Sequence, residues 1–450
     1  MSIHEFYVTS NPTKLFLKCA LPNMTGIIFI YLYIIVDGIF VGKYLGANAL
    51  AAMNLMMPFI TISFALADMI AIGSSVQISI NLGKGKINKA RRIFSFCLCL
   101  IFVISCIMGI LGYFLANKLS VFLGANDDIQ ELCTQYMQVF TLFAPFIIIS
   151  FAIDNYLRIC GKTYYSMVAN IIMAVVNIFL DWLFIVVFGW GLFSAALATC
   201  IGILTGVILS FIPFIFSDLI LKFTKPIIQF KILKNIIYNG SSEFFSNISS
   251  SFYIILANSV LLEISGNIAV AAFSIILYLS TFTFALIIAM CDAMQPALSY
   301  NYGLKNIDRI KVLFKKMIFG SALLGIIVFL LVQFYHDYFI FIFNKDNNQE
   351  FIDIAKNASI LFSFSFLFSW FGKFCASFFT ALDKPLFSLG ISITQSLIFP
   401  FIFLNILVYF LGLNGVWLAT LIGDVLIIFI ALFLLSKIFK NLNIHSKAMI

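Results

Sequence analysis

The sequence has little charge and almost no histidine. Asp, Glu, Lys and Arg make up only 10% of its 450 residues, whereas soluble domains carry about 25%. Because 62% of the residues are apolar, a water-soluble fold is excluded. The three histidines, His4, His336 and His445, are too few for a metal cluster, and no H-E-x-x-H motif occurs. No Ser/His/Asp set is plausible, so we expect a protein that is not an enzyme and needs no cofactor.

Signatures of nucleotides and of paired cysteines are also missing. Gly161-Lys-Thr163 resembles the end of a P-loop, but the glycine required five residues earlier is replaced by Tyr156. The sequence therefore does not predict bound ATP as the energy source. None of the nine cysteines forms a C-x-x-C motif, and most lie in apolar segments, where they act as small hydrophobic residues.

Apolar runs fill nearly the whole chain. A membrane-spanning helix needs about 20 apolar residues, and clusters of Gly, Asn, Asp and Pro, among them Asn344–Asn348, divide the chain into twelve such runs. Several runs are longer than this minimum and are expected to tilt or to extend past the bilayer. The predicted helices are 15–41, 48–82, 90–117, 129–158, 163–188, 192–216, 232–262, 267–300, 308–338, 350–381, 385–411 and 414–437.

The basic residues lie in short loops and predict an orientation. With the N-terminus inside, 23 of the 27 Lys and Arg residues, Lys373 included, fall on the cytoplasmic side, and only Lys43, Lys118, Lys345 and Lys356 fall outside. This is the positive-inside distribution of multi-pass membrane proteins, with both termini cytoplasmic. It explains the net charge of +8 without a nucleic-acid partner, and we expect the plasma membrane as the location.

The chain repeats itself at an offset of about 220 residues. Gly46-Ala-Asn-Ala-Leu-Ala-Ala matches Gly266-Asn-Ile-Ala-Val-Ala-Ala, and Leu197-Ala-Thr-Cys-Ile-Gly matches Leu418-Ala-Thr-Leu-Ile-Gly. Each half holds six predicted helices, an even number, so the repeats are parallel. We predict an all-α integral membrane protein with two pseudo-symmetric six-helix bundles. The N-lobe is 1–216, the linker 217–231 and the C-lobe 232–450. A cleft between such bundles, exposed alternately to either side, is typical of secondary transporters.

Carboxylates inside apolar helices are costly and need a function or a partner. Asp37 lies in the outer half of the first helix, and Asn177 and Asp181 lie one turn apart on the fifth. Two carboxylates and an amide facing one pocket suit a small cation with oxygen ligands, or a shared proton. At the repeat offset Asp37 falls on Ala257, so we expect one such site and not two.

Other ionisable residues give weaker predictions. Glu243 and Asp292, with Gln295 beside the latter, could face the cleft and attract a cationic substrate, or could lie near headgroup level. Asp154 has Arg158 one turn away, and we predict a local ion pair. Structural roles are favoured for Asp68 and Asp424, and the prolines, which are Pro22, Pro145, Pro213, Pro296 and Pro400, are expected to kink helices or to serve bending.

Taken together, these motifs resemble the MATE family of multidrug and toxic compound extrusion transporters. The resemblance rests on Asp37-Gly-Ile-Phe-Val-Gly42, the Gly-Ala-x-Ala-Leu-Ala-Ala run at 46–52, Asn177-x-x-x-Asp181 and Gln295-Pro-Ala-Leu-Ser-Tyr-Asn-Tyr-Gly303. It covers both halves and is strongest to the bacterial DinF-like and MepA-like branch.

The resemblance implies efflux of amphipathic, often cationic, drugs or toxins by a monomer, driven by inward H⁺ or Na⁺. By the family pattern Asp37, Asn177, Asp181 and Thr199 form the cation site, and they would be metal ligands if Na⁺ is the coupling ion. The alternative is a lipid-linked saccharide flippase of a related fold, which predicts a cleft lined with Arg and Lys. A channel or a membrane enzyme is a third possibility, but no polar catalytic cluster supports an enzyme.

Overall fold

The computed structural model of the chain describes residues 2–343 and 349–447, and no β-strand occurs in them. The predicted break at Asn344–Asn348 lies outside the described residues. A π-helical segment, Glu5–Thr9, precedes the first α-helix. The α-helices are α1 Pro12–Phe40, α2 Ala47–Gly83, α3 Ile87–Phe122, α4 Asp127–Leu142, α5 Ala144–Ile159, α6 Thr163–Asp181, α7 Leu192–Phe216, α8 Phe230–Leu304, α9 Ile307–Phe343, α10 Gln349–Ser363, α11 Ser369–Ala381, α12 Pro385–Ile393, α13 Phe399–Leu411 and α14 Leu413–Lys447.

The described helices match the predicted number of spans once α8 is divided. Ten are long and apolar enough to cross a membrane, or eleven if α4 and α5, which meet at 55°, form one span. The 75 residues of α8 would extend about 110 Å if straight, against a hydrocarbon core of about 30 Å. The helix breaks at Gly266, where φ is 65°. Counting its two parts separately gives twelve.

Three predicted spans are interrupted rather than continuous. The span 129–158 is divided between α4 and α5, with Pro145 in the first turn of α5. A 3₁₀ turn, Phe364–Leu367, separates α10 from α11, and a π-helical segment, Thr394–Ile398, separates α12 from α13. Pro400 is the second residue of α13 and donates no backbone hydrogen bond to the π-helical segment that precedes it. The remaining predicted kink residues, Pro22, Pro213 and Pro296, lie within α1, α7 and α8.

Contacts divide the chain into two compact units. The first comprises Met1–Ser10 and Leu17–Gly240, and the second comprises Asn11–Phe16 and Ser241–Ile450. Within the first unit, α6 packs along α7, and α3 packs against α2, α4 and α5. Within the second, α13 packs along α14, and α11 packs against α12 and α9. The lobe boundaries drawn from the sequence remain predictions.

The predicted linker 217–231 begins as an extended segment that lies against α3 in the first unit. Arg91 Nε donates a hydrogen bond to the carbonyl oxygen of Ile220 at 2.7 Å. The backbone N–H of Thr224 donates to Ser95 Oγ at 2.9 Å. In a flexible linker the backbone groups of this segment would bond to water instead. These hydrogen bonds therefore fix this part of the segment to the first unit.

Candidate functional site: a buried cation site in the first unit

Asp37 lies near the end of α1, one turn after Tyr33. Its side chain is buried, and Oδ1 has no hydrogen-bond partner among the described residues. Three residues later α1 gives way to a π-helical segment, Val41–Leu45, which ends at Gly46 with φ of 89°. Such π-turns are rare and often mark functional sites, because they change the register of the backbone hydrogen bonds.

Asn177 and Asp181 lie on one face of α6, as their spacing predicted. Both side chains are buried, at 1% and 0% exposure. Asp181 is the last residue of α6, and a second π-helical segment, Trp182–Val187, follows it directly. Asn177 Oδ1 and both carboxylate oxygens of Asp181 lack hydrogen-bond partners in the part of the chain that the structure describes. A buried polar oxygen without a partner costs about 1–3 kcal/mol.

Thr199 on α7 completes this group. Asn177 Nδ2 donates to Thr199 Oγ1 at 3.2 Å. The amide oxygen of Asn177 takes no part in this bond and has no described hydrogen-bond donor. Gly202, one turn further along α7, allows the close approach of α6. A Cβ there would lie 2.9 Å from Asn177 Cβ and 3.1 Å from the carbonyl oxygen of Met173.

The two acids interact electrostatically across the first unit. The Asp181 carboxylate lies within Coulombic range of Asp37, and both lie within range of Tyr33 and Tyr136. The sequence analysis missed both tyrosines. Tyr33 could have been found, since it lies one helical turn before Asp37, whereas Tyr136 on α4 carries no signal in the sequence.

These side chains form an acceptor-rich site, which we call the α1–α6 acid site (Asp37, Asn177, Asp181 and Thr199). Four buried oxygens have no described donor. Oxygen ligands of this type suit hard cations, and a carboxyl pair can also share a proton. No group of three His, Cys, Asp or Glu side chains suited to a metal ion occurs within residues 2–343 and 349–447.

A family model identifies the family of the chain independently of this site. The MatE model matches the chain twice, over residues 22–183 and 244–406. The two matches begin 222 residues apart, in agreement with the internal repeat, and together they cover well over half of the chain. The chain belongs to the MatE family. It is therefore a multi-pass membrane transporter and not an enzyme.

Two relatives align along most or nearly all of the chain. The multidrug export protein MepA of Staphylococcus aureus (strain bovine RF122 / ET3-1) is 24% identical over 451 aligned residues, covering 99% of this chain and 98% of that protein. MepA of Staphylococcus saprophyticus (strain ATCC 15305) is 26% identical and covers 72% of this chain and 73% of that protein. These values are consistent with one shared architecture.

Solved MatE structures show the same fold. A transporter of the MOP superfamily from Pyrococcus furiosus, described as having a binding pocket of reverse polarity, superposes with a TM-score of 0.91 at 23% identity, with 98% of each chain covered. A multidrug resistance MATE transporter in an outward-facing conformation gives 0.90 at 23% identity, again with 98% of each chain covered. The predicted fold class is confirmed.

The second MatE half does not carry the acid pair. Ala257, the repeat counterpart of Asp37, is fully buried in an apolar cluster with Leu261, Phe273 and Trp417. Thr420, the counterpart of Thr199, is present, and its hydroxyl is buried without a described partner. The second half thus has the threonine of the repeat but not the acid.

The residues predicted to face a cleft lie in the second unit. Gln295 Nε2 donates to Asp292 Oδ1 at 2.6 Å, so these two predicted residues of α8 are in direct contact. The same nitrogen donates to Ser377 Oγ on α11 at 2.9 Å. Glu243 is half-buried near the start of that unit and interacts electrostatically with Lys373. Their role in substrate binding stays a prediction.

Two further predictions concern ion pairs and cysteines. Arg158 lies 2.9 Å from Asp154, which confirms the predicted local pair, and Ser166 also donates to that carboxylate. All nine cysteines are unpaired, and seven are buried, six of them within helices and Cys160 directly after α5. Lys373, which the sequence places on the cytoplasmic side of the predicted helix 350–381, lies inside α11, about two turns before its end.

Proposed function

We propose that the chain is a secondary active multidrug efflux antiporter. It exports amphipathic, often cationic, organic compounds through the plasma membrane against H⁺ or Na⁺, by alternating access between its two bundles. The α1–α6 acid site is the observation that carries this proposal. Its four buried acceptor oxygens have no described hydrogen-bond donor, and a bound cation or proton would compensate for this. The names of the MepA relatives, multidrug export proteins, support the substrate class.

The coupling step follows from the position of the acids on their helices. A cation that enters from outside contacts Asp37 and Asp181 together and cancels the repulsion between two buried carboxylates. The π-helical segments that follow both acids allow the backbone to change register at low cost. Binding thereby changes the packing of α1 against α6 and α7, and the altered packing releases the drug outward.

We further propose a monomer without a cofactor, with both termini in the cytoplasm. The 23 basic residues that a cytoplasmic N-terminus places inside support this orientation. The low charge of the chain leaves no separate domain for a nucleotide or a redox group.

Proteoliposomes test the proposal directly. Efflux of a fluorescent cation is measured under a pH gradient alone and under a sodium gradient alone, and the gradient that accelerates it identifies the coupling ion. Asp37→Asn should abolish this acceleration while the protein stays folded. Asp128→Asn, which changes an exposed acid of the same unit, serves as the control and should behave like the unmodified protein. Gradient-driven efflux that survives Asp37→Asn would contradict the proposal.

A further inference from the structure

The second unit holds a buried carboxylate that the proposed coupling does not use. Asp424 lies on α14, about 16 Å along the axis from the start of that helix, deep within a span. Gln395 Nε2 donates to Asp424 Oδ1 at 2.7 Å and to the carbonyl oxygen of Ser369 at 2.9 Å. A Cβ at Gly372 would collide with the amide of Gln395, so the glycine keeps this position open. The Asp424 carboxylate is therefore held in place by two other helical segments.

An ammonium group faces the same region. Lys373 follows Gly372 on α11 and is half-buried, with Nζ 4.5 Å from the centre of the Phe284 ring. It interacts electrostatically with Asp424 and with Glu243. Nevertheless, no described carboxylate oxygen lies within the 4.0 Å of Lys373 Nζ that an ion pair requires.

Opposite charges kept apart inside a membrane protein are unusual. A charge within a span costs about 2.5–3.5 kcal/mol on insertion scales, and direct pairing is the common compensation. Here Asp424 is fixed by Gln395 and Lys373 is held over a ring, so the two charges face one region without closing on each other.

Polar and aromatic groups surround this charge pair. The Tyr253 hydroxyl is buried without a hydrogen-bond partner in the described ranges and interacts electrostatically with Asp424. Thr420 Oγ1, one turn before Asp424 on α14, likewise has none there. Tyr253 and Phe284 both pack against the apolar cluster of this unit, so flat apolar surface adjoins the charges.

We propose that Tyr253, Phe284, Lys373, Gln395 and Asp424 form a substrate site for zwitterionic aromatic compounds. The cationic group of the substrate faces Asp424, its carboxylate or other anionic group faces Lys373, and its ring system lies against the aromatic side chains. A purely cationic ligand leaves Lys373 without an anionic partner on the ligand, and a purely anionic one meets the repulsion of Asp424 and Glu243. The proposal rests on the proposed export function and adds a substrate class to it.

Equilibrium binding separates this inference from coupling. The probes are rhodamine B, a zwitterion, and its ethyl ester, a permanent cation without the carboxylate. Binding to the purified protein in lipid nanodiscs is followed by fluorescence polarisation, with empty discs as background. Because no gradient is present, a failure of ion-driven efflux would leave the result intact.

Lys373→Met is expected to weaken rhodamine B binding about tenfold, the effect of losing one charge-assisted contact, and to leave the ester unchanged or bound more tightly. Lys373→Arg should keep most of the affinity for rhodamine B. Lys437→Met is the matched control, since it also removes an ammonium that lies over a phenylalanine ring, 5.8 Å away, but at an exposed position.

Equal losses for both dyes, or no loss for rhodamine B, would overturn the inference. A measurement without variants protects the test against misfolding of Lys373→Met. The unmodified protein should bind rhodamine B at least as tightly as the ester, and a clear preference for the ester, or binding of neither dye, would also overturn it.

Discussion

The two halves of the molecule share a repeat but differ in the chemistry of their buried polar groups. In the first unit the buried atoms without partners at the acid site are all acceptors, from Asp37, Asn177 and Asp181. In the second unit the ammonium group of Lys373 interacts electrostatically with Asp424 and Glu243, and Asp424 also interacts with the Tyr253 hydroxyl. The comparison teaches that one scaffold can hold two different charge patterns, because the repeat conserves packing positions and leaves the polar positions free to diverge.

Particular residue pairs show where the halves agree. Tyr33 and Tyr253 lie 220 residues apart in equivalent positions, and so do Thr199 and Thr420 at 221. Asp37, in contrast, has Ala257 as its counterpart. We interpret the first site as the place of the coupling cation and the second as a place for substrate, and the following predictions test this division.

Exchange of one acid in each half should give the largest difference. Asp181→Asn is expected to remove the acceleration of efflux by the coupling gradient, a loss of about tenfold or more, because it takes a charge from the acceptor-rich pair. Asp424→Asn should change which dyes are exported but should keep the response to the gradient. The ratio of initial efflux rates with and without the gradient, measured in proteoliposomes, checks both. Similar loss of that ratio in both variants would remove the proposed division between the halves.

Substitution of a pair of equivalent glycines, Gly202 and Gly423, should give a smaller difference between the two halves in stability and coupling. Gly202→Ala places a Cβ 2.9 Å from Asn177 Cβ and 3.1 Å from the backbone oxygen of Met173, and so must separate α7 from α6. Gly423→Ala, at the matching position, places its Cβ 3.0 Å from Phe399 Cβ and otherwise has room. We expect Gly202→Ala to cost about 1–3 kcal/mol of stability and to weaken coupling several-fold, and Gly423→Ala to cost less.

The thermal midpoints of both variants in detergent, together with their gradient response, provide the measurement. If Gly423→Ala were the more damaging of the two, the close packing of α6 on α7 would not be what holds Asn177 in place.

Much of the fold could be predicted from the sequence, because hydropathy and turn residues report directly on spans. The predicted span 192–216 agrees with α7, and the spacing of Asn177 and Asp181 placed them on one face. The interruptions at Phe364–Leu367 and Thr394–Ile398 were missed, since a π or 3₁₀ turn keeps the apolar pattern of the helix around it.

The site was harder to predict than the fold. Asp37, Asn177 and Asp181 stood out because acids and amides are rare in apolar runs, whereas Tyr136 is one of 17 tyrosines with nothing to distinguish it. Lys373 was placed within the predicted helix 350–381 and on its cytoplasmic side, because the break at Asp383-Lys-Pro follows ten residues later. Only the packing of α11 shows that its ammonium group lies near Asp424.

The smallest expected effect concerns the equivalent tyrosines. Tyr253→Phe removes a buried hydroxyl that has no described partner, so the free energy of unfolding should change by less than about 1 kcal/mol or rise slightly. Tyr33→Phe removes a hydroxyl that lies within Coulombic range of Asp37 and Asp181, and should weaken the response to the coupling ion about threefold. Melting curves and the ion dependence of efflux measure the two effects. A clear loss of stability in Tyr253→Phe would mean that this hydroxyl supports the fold and is not free for a substrate, while an unchanged ion response in Tyr33→Phe would confine the coupling site to the acids and Asn177.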